Sequence, residues 1–328
     1  MALLSAALVA GGCDREPRGP AGNDTAAPDT TAIGVDSLGA AAAPISTNGW
    51  RLEEAGPALV VPSASSLLEA RLVFPQYTDS TLTAQAPFDL APLRSATLEL
   101  FAPAGLVGRA ALADVAPPTP AAGSGGSADG VGPAPAACAE WPSARLVPAT
   151  EPLSPWRAAF VAGHARAIPL DSAAALTGPD SARLAADVAR LASALPQDTA
   201  SAFRGLPFVV RDVRRFTPVV GTDALVADVV RRVNQEASQQ MEHLVLVAER
   251  VAGRPSAPWT VGYVERASGE EETLEMAEVL AAVALGPARR PTLVVVRDFG
   301  DGGTAYALVE RVERGRWVVR WSSAYAGC

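Results

Sequence analysis

Residues 292–323 read TLVVVRDFGDGGTAYALVERVERGRWVVRWSS. An apolar run, a loop bearing Asp and Gly, a run ending Glu310-Arg311-Val312, a turn and a run opening on Trp317 follow one another. Branched and aromatic side chains fit the pleat of a sheet, and Gly and Asp accept the positive φ that tight turns need, so the pattern predicts an antiparallel meander. Upstream the same order recurs as ALVADVVRR (224–232), the polar loop NQEASQQMEH (234–243), LVLVAERV (244–251) and WTVGYVER (259–266). Glu249-Arg250-Val251 answers Glu310-Arg311-Val312, and Trp259 and Tyr263 answer Trp317 and Trp321. We read a two-fold repeat inside a C-terminal β unit, residues 206–328. The two aromatics of each copy are four residues apart. In a regular strand that spacing puts both rings on one face, expected here to be the core.

Working outward, FVVRDVRRF (208–216) reads as a further strand, and before it the period changes. In DSARLAADVARLASALP, Leu184, Val188, Leu191 and Leu195 recur at helical spacing, with Asp180 or Ser181 as cap and Pro196 ending the run. This amphipathic helix, within a connector of residues 171–203, is expected to pack on a sheet and to bridge two β units. From 50 to 170 short apolar runs alternate with turn residues: PALVVP, ARLVFPQYT, ATLELFAP, GLVGRAALADV, then CAEWPSARLVP and SPWRAAFVAGHARAIPL. These predict a second β-rich unit, with 65–70 read alternatively as a helical turn and the low-complexity stretch 117–137 as a surface loop. The fold class is mainly β, antiparallel meanders in a sandwich- or blade-like arrangement, with one principal helix.

The composition is that of an ordinary globular chain, 49% hydrophobic and 19% charged over 328 residues. A net charge of -8 argues against a nucleic-acid partner, because phosphate binding needs concentrated cations. Arginine supplies every strong cation. Residues 14–48 are Ala, Gly, Pro, Thr, Asp and Ser with few large apolar side chains, the composition of a disordered tether.

Ahead of that tether stands MALLSAALVAGGC, residues 1–13, an apolar run closing on small residues and Cys13. The stretch Val9, Ala10, Gly11, Gly12, Cys13 resembles the lipobox of bacterial lipoproteins. The resemblance implies a signal peptide cleaved before Cys13, a lipid on that cysteine, and a chain held on a membrane of the bacterial envelope, facing the periplasm or the exterior. No Lys or Arg precedes the run, and Ala10 stands where the family more often has Leu. Asp14 fits the pattern that disfavours transfer to the outer membrane in enteric bacteria. With Cys13 acylated, Cys138 and Cys328 form an even pair in a compartment where disulfides persist, and a bridge between them is expected.

Catalytic signatures are absent from the sequence: no GxSxG, HExxH or phosphate-cradling glycine loop occurs, and only His164 and His243 offer a base. Glu236, Glu242, His243 and Glu249 are close in sequence but straddle a predicted hairpin, so they are not expected to converge on a metal; Glu242 and His243 read as solvated turn residues. The segment LVVVRDFGDGGTAYALVER (293–311) resembles the strand, acidic loop, strand of calcium-binding FG-GAP and VCBS repeats. With Gly302 aligned to the motif glycine, Asp301 takes the last acidic position, while Phe299 and Arg297 occupy the other two. Asp298 and Asp301 are thus weak metal candidates, the loop reads as a tight turn, and no cofactor is expected. The functional expectation is non-catalytic binding or scaffolding toward another envelope protein or a cell-wall polymer. The alternatives are an envelope hydrolase using His164 or His243 and a carrier of small hydrophobic ligands.

Overall fold

A computed structural model describes residues 49–63, 66–78, 88–118, 140–196, 201–233, 239–254, 256–300 and 303–327. The expectations for Cys13 and the tether, for Cys138 and Cys328, for Glu236 and Asp301, and for the low-complexity loop from 119 onward lie outside these residues.

The chain is mainly antiparallel β with one principal helix. After a short helix α1 (Leu52–Ala55) come β1 (Leu59–Ser63), β2 (Ser66–Val73), β3 (Thr97–Ala102), β4 (Gly105–Ala116), β5 (Ser143–Pro148) and β6 (Ala158–Val161). They close a barrel in the order β1-β2-β5-β4-β3-β6. Residues 66–70 are strand, not a helical turn: burial alternates along β2, as one solvated and one packed face require. The barrel closes where β1 meets β6, Val60 opposite Ala159, a pairing of distant segments that leaves no open edge.

The chain then crosses to two five-stranded sheets. A short β7 (Ala165–Ala167) joins the lower sheet and β8 (Asp171–Ser172) the upper one. Helix α2 (Gly178–Ala194) follows. The upper meander is β9 (Val209–Phe216), β10 (Thr222–Val233), β11 (Gln240–Val251) and β12 (Thr260–Glu270). The lower is β13 (Glu275–Leu285), β14 (Arg290–Phe299), β15 (Thr304–Glu313) and β16 (Arg316–Ser322). Their strand orders correspond, β12-β11-β10-β9-β8 and β16-β15-β14-β13-β7.

The cap of helix α2 lies three residues before Asp180, the first of the two expected. Thr177 takes the N-cap, and its hydroxyl donates to Asp180 at 2.7 Å, so Asp180 sits in the first turn. Leu184, Val188 and Ala192 pack on Leu225, Val229, Leu244 and Leu246 of the upper sheet. The helix covers that sheet's outer face instead of bridging the two β units. The layers run α2, upper sheet, lower sheet, barrel.

Residues matched between the two sequence copies point the same way along this stack. Leu225 and Ala227 face α2, and their counterparts Leu293 and Val295 face the upper sheet. Val226 and Val247 face the lower sheet, and their counterparts Val294 and Leu308 face the barrel. The copies are therefore stacked head to tail like blades.

The aromatic pairs do not share a face. Trp259 points up with the α2 cluster and Tyr263 down; Trp317 points up and Trp321 down into the barrel side. The cause is a β-bulge at the same place in each copy. Gly262 is the extra residue between Val247 opposite Tyr263 and Ala248 opposite Val261. Arg320 is the extra residue between Leu308 opposite Trp321 and Val309 opposite Val319. One inserted residue reverses the parity of everything beyond it. Turned downward, Trp321 is fully buried, donates to the Pro75 carbonyl at 3.0 Å and meets Trp50 at 4.8 Å, docking the lower sheet on the barrel.

At Gly262 a Cβ would lie 2.8 Å from the Gly315 backbone of the lower sheet. Gly262→Ala is expected to lower stability by about 1–3 kcal/mol in urea unfolding. Gly178→Ala, where a Cβ meets nothing within 4 Å, should be neutral or slightly stabilising.

Candidate functional site

Alternation along β11 turns His243, Val245, Val247 and Glu249 toward the lower sheet, which answers with Leu293, Val295 and Arg297 from β14 and Ala307, Val309 and Arg311 from β15. The middle of this layer is apolar and its two ends are charged. Each end is a place where an ionised group is held between sheets.

At one end Glu249, 1% exposed, accepts from Arg311 Nε at 2.7 Å and Nη2 at 3.0 Å, from the Trp317 indole at 2.8 Å and from the Gly315 amide at 2.9 Å. Burial would raise this carboxyl, but Arg311, the Gly315 amide and the Trp317 indole outweigh it and hold the group below the ordinary glutamate range. Head-to-tail stacking explains the pairing. The Glu of the upper Glu-Arg-Val faces down and the Arg of the lower one faces up, so Glu249 meets Arg311. The remaining two members have other partners: Arg250 lies 3.4 Å from Asp223 and 4.3 Å over the Trp259 ring, and Glu310 sits between Arg290 and Arg320. Beside Glu249 a cleft of about 320 Å³ opens to solvent, lined among others by Arg250, Ala257, Pro258, Thr260 and Arg314.

At the opposite end Arg297 donates from Nε to Glu265 at 2.6 Å and from Nη1 to Ser322 at 3.1 Å, with Glu275 at 3.8 Å. The Tyr263 hydroxyl donates to the same Glu265 carboxylate, and burial together with that carboxylate pushes the phenol well up. Burial also raises Glu275; Arg297 opposes this and Glu265 adds to it.

The two histidines differ in their surroundings. His243 is buried in β11, with its Nε2 at 3.0 Å from Asp228 Oδ1 on β10. Glu242, on the opposite face, is fully buried, paired with Arg231 and 3.3 Å from Arg266. Arg231 lies over the rings of Phe203 and Phe208, at 5.6 and 4.6 Å. The expectation that Glu242 and His243 are solvated turn residues is thus overturned. Strand β11 starts at Gln240, and both residues need internal partners because the strand is covered on both faces. His164 sits in the turn before β7, its carbonyl accepting from the Gly286 amide at 2.9 Å and its ring where a Cβ on Gly56 would meet it at 3.3 Å. The two rings belong to different layers, and among the described residues neither is bonded to a Ser, Thr or Cys.

Among the described residues no three His, Cys, Asp or Glu side chains are grouped to hold a metal. Asp298 is exposed at the end of β14. Compared with known proteins, the chain matches no family model, no curated protein and no solved structure. Arg311, Trp317, Glu265 and Arg297 were not foreseen as partners. The repeated Glu-Arg-Val was visible in the sequence, but its pairing depends on how the copies stack.

Removing one partner of the Glu249 site strands a buried charge, so Glu249→Ala or Arg311→Ala should each cost about 3–5 kcal/mol, with the double variant costing less than the sum. The folded chain binds fewer protons at Glu249 than the unfolded chain does. Its stabilisation is complete above the ordinary glutamate value of about 4.3 and is lost as the pH falls through the lower folded value. Glu275, raised, pulls the other way, so the expected result is a shallower acid dependence in Glu249→Gln than in the natural chain, measured by urea unfolding against pH.

Proposed function

We propose that this protein is a lipid-anchored protein of the bacterial envelope, whose stacked β layers hold out a binding surface for another envelope protein or a cell-wall polymer without a catalytic step of their own. The anchor rests on the sequence alone, through Val9 to Cys13. The observation that carries the non-catalytic reading is the engagement of His243: its ring is buried against Asp228, and no nucleophile is bonded to it among the described residues. A hydrolase centre that works through a side-chain nucleophile needs a hydroxyl or thiol within reach of its base. A hydrophobic-ligand carrier draws no support from the layer between the sheets, which is filled by Val245, Val247, Val295, Val309 and Trp317. Among the described residues no helix is long and apolar enough to cross a membrane.

Intact mass of the chain extracted from membranes, after thiol alkylation without reduction, tests the anchor. The expected mass corresponds to acylated Cys13 with no alkylated cysteine, meaning that Cys138 and Cys328 are bridged. A chain retaining Met1 with three alkylated thiols would remove the envelope reading. His164→Ala and His243→Ala chains that fold should complement a deletion strain as the natural gene does; loss of complementation in a folded variant would favour the hydrolase.

A further inference from the structure

The end of the sandwich that carries Glu249 also carries the β9–β10 turn, Thr217-Pro218-Val219-Val220-Gly221. The turn is closed by the Thr222 amide donating to the Val219 carbonyl at 3.1 Å, with Gly221 at φ 84. Its apex is apolar where turns ordinarily carry Gly, Asn, Asp or Ser. Val220 is 100% exposed and Val219 37%. The Val220 side chain is covered by nothing in the fold, and the turn hydrogen bond holds it outward.

Cations lie at the same end of the sheets. The Gly221 carbonyl accepts from the Ala252 amide at 3.0 Å, which sets the turn against the loop bearing Arg254. Arg314 lines the adjoining cleft together with Val251, Ala257 and Pro258. Arg254 and Arg314 are exposed and have no ion-pair partner among the described residues, and Arg316 shares only the exposed Glu313 at 3.3 Å. The opposite end of the same sheets carries Glu270, Glu271, Glu272, Glu275 and Asp298. At that acidic end Glu271 pairs with Arg232 and Glu275 lies 3.8 Å from Arg297, whereas Arg254 and Arg314, at the end that bears the apolar turn, have no acidic partner among the described residues.

We propose that this end is a contact surface for an anionic lipid bilayer, Val219 and Val220 entering the headgroup layer while Arg254, Arg314 and Arg316 pair with lipid phosphates. Exposed apolar side chains at the same end as arginines match that interface, because the apolar groups leave water as the cations meet the negative surface potential. The acidic end then points away from the membrane. The proposal does not rest on acylation of Cys13.

The test is sedimentation of the full chain carrying Cys13→Ser, so that no lipid is attached, with vesicles of phosphatidylglycerol and phosphatidylcholine or of phosphatidylcholine alone. Binding is expected only with phosphatidylglycerol, weakening between 50 and 500 mM salt, values chosen on the order of a threefold change in Debye length. Val219→Asp with Val220→Asp should weaken it at least about tenfold, and Arg254→Ala and Arg314→Ala about fivefold each. All these positions are solvent-facing, so unchanged thermal unfolding shows that the variants are folded. Equal binding to both vesicle types, no binding, or binding undiminished in the variants each overturns the proposal. The last outcome would leave the apolar N-terminal run as the lipid-binding element. Failure here leaves the mass of the native chain, and with it the anchor, undecided by this experiment.

Discussion

The carboxylate of Glu249 is buried between two sheets and takes four hydrogen bonds, all from the lower one: two from Arg311, one from Trp317 and one from the Gly315 amide. An ion in that position is tolerated only if each lone pair is met, so the relative placement of the sheets has little latitude there. Arg297 and Glu265 impose the same demand at the other end. Between them Val245, Val247, Val295 and Val309 supply area without direction. The apolar middle favours contact of any kind; the charged ends select one register for it.

The same constraint accounts for the order of the layers. Head-to-tail stacking leaves one unlike face at each end of the pair, the upper face of the upper sheet and the lower face of the lower sheet. Helix α2 covers the first through Leu184 and Val188, and the barrel covers the second through Trp321, Trp50 and Phe160. The buried Arg231 and Glu242 and the half-buried Arg266 tie the upper sheet to the segment after the helix, where the Pro196 carbonyl accepts from Arg266. Glu270, Glu271, Glu272 and Asp298 lie at one end of the strands, and Arg254, Arg314 and Arg316 at the other.

Much of this was legible along the chain. Alternation in β14 to β16 and its echo in β10 to β12 identified the strands, and the period of Leu184, Val188 and Leu191 identified the helix. Two readings along the chain differ from the structure, each for its own physical reason. The aromatic spacing was read for a regular strand, and the bulges at Gly262 and Arg320 reverse it. Glu242 and His243 were read as turn residues because they are polar, and they are strand residues buried against partners on other elements.

By itself the sequence determined most of the strands, though not β13 (Glu275–Leu285), and the principal helix, because periodicity and turn chemistry act between residues a few positions apart. It also carries the small-residue run before Cys13 on which the envelope reading stands. Only the tertiary structure decided that the first six strands close into a barrel, that the two meanders stack head to tail, and that Glu249 answers Arg311 instead of a residue of its own strand pair. Those outcomes depend on contacts between residues far apart in the chain. Their free energy comes from which buried face or charge finds a complementary one, and no local pattern records that choice.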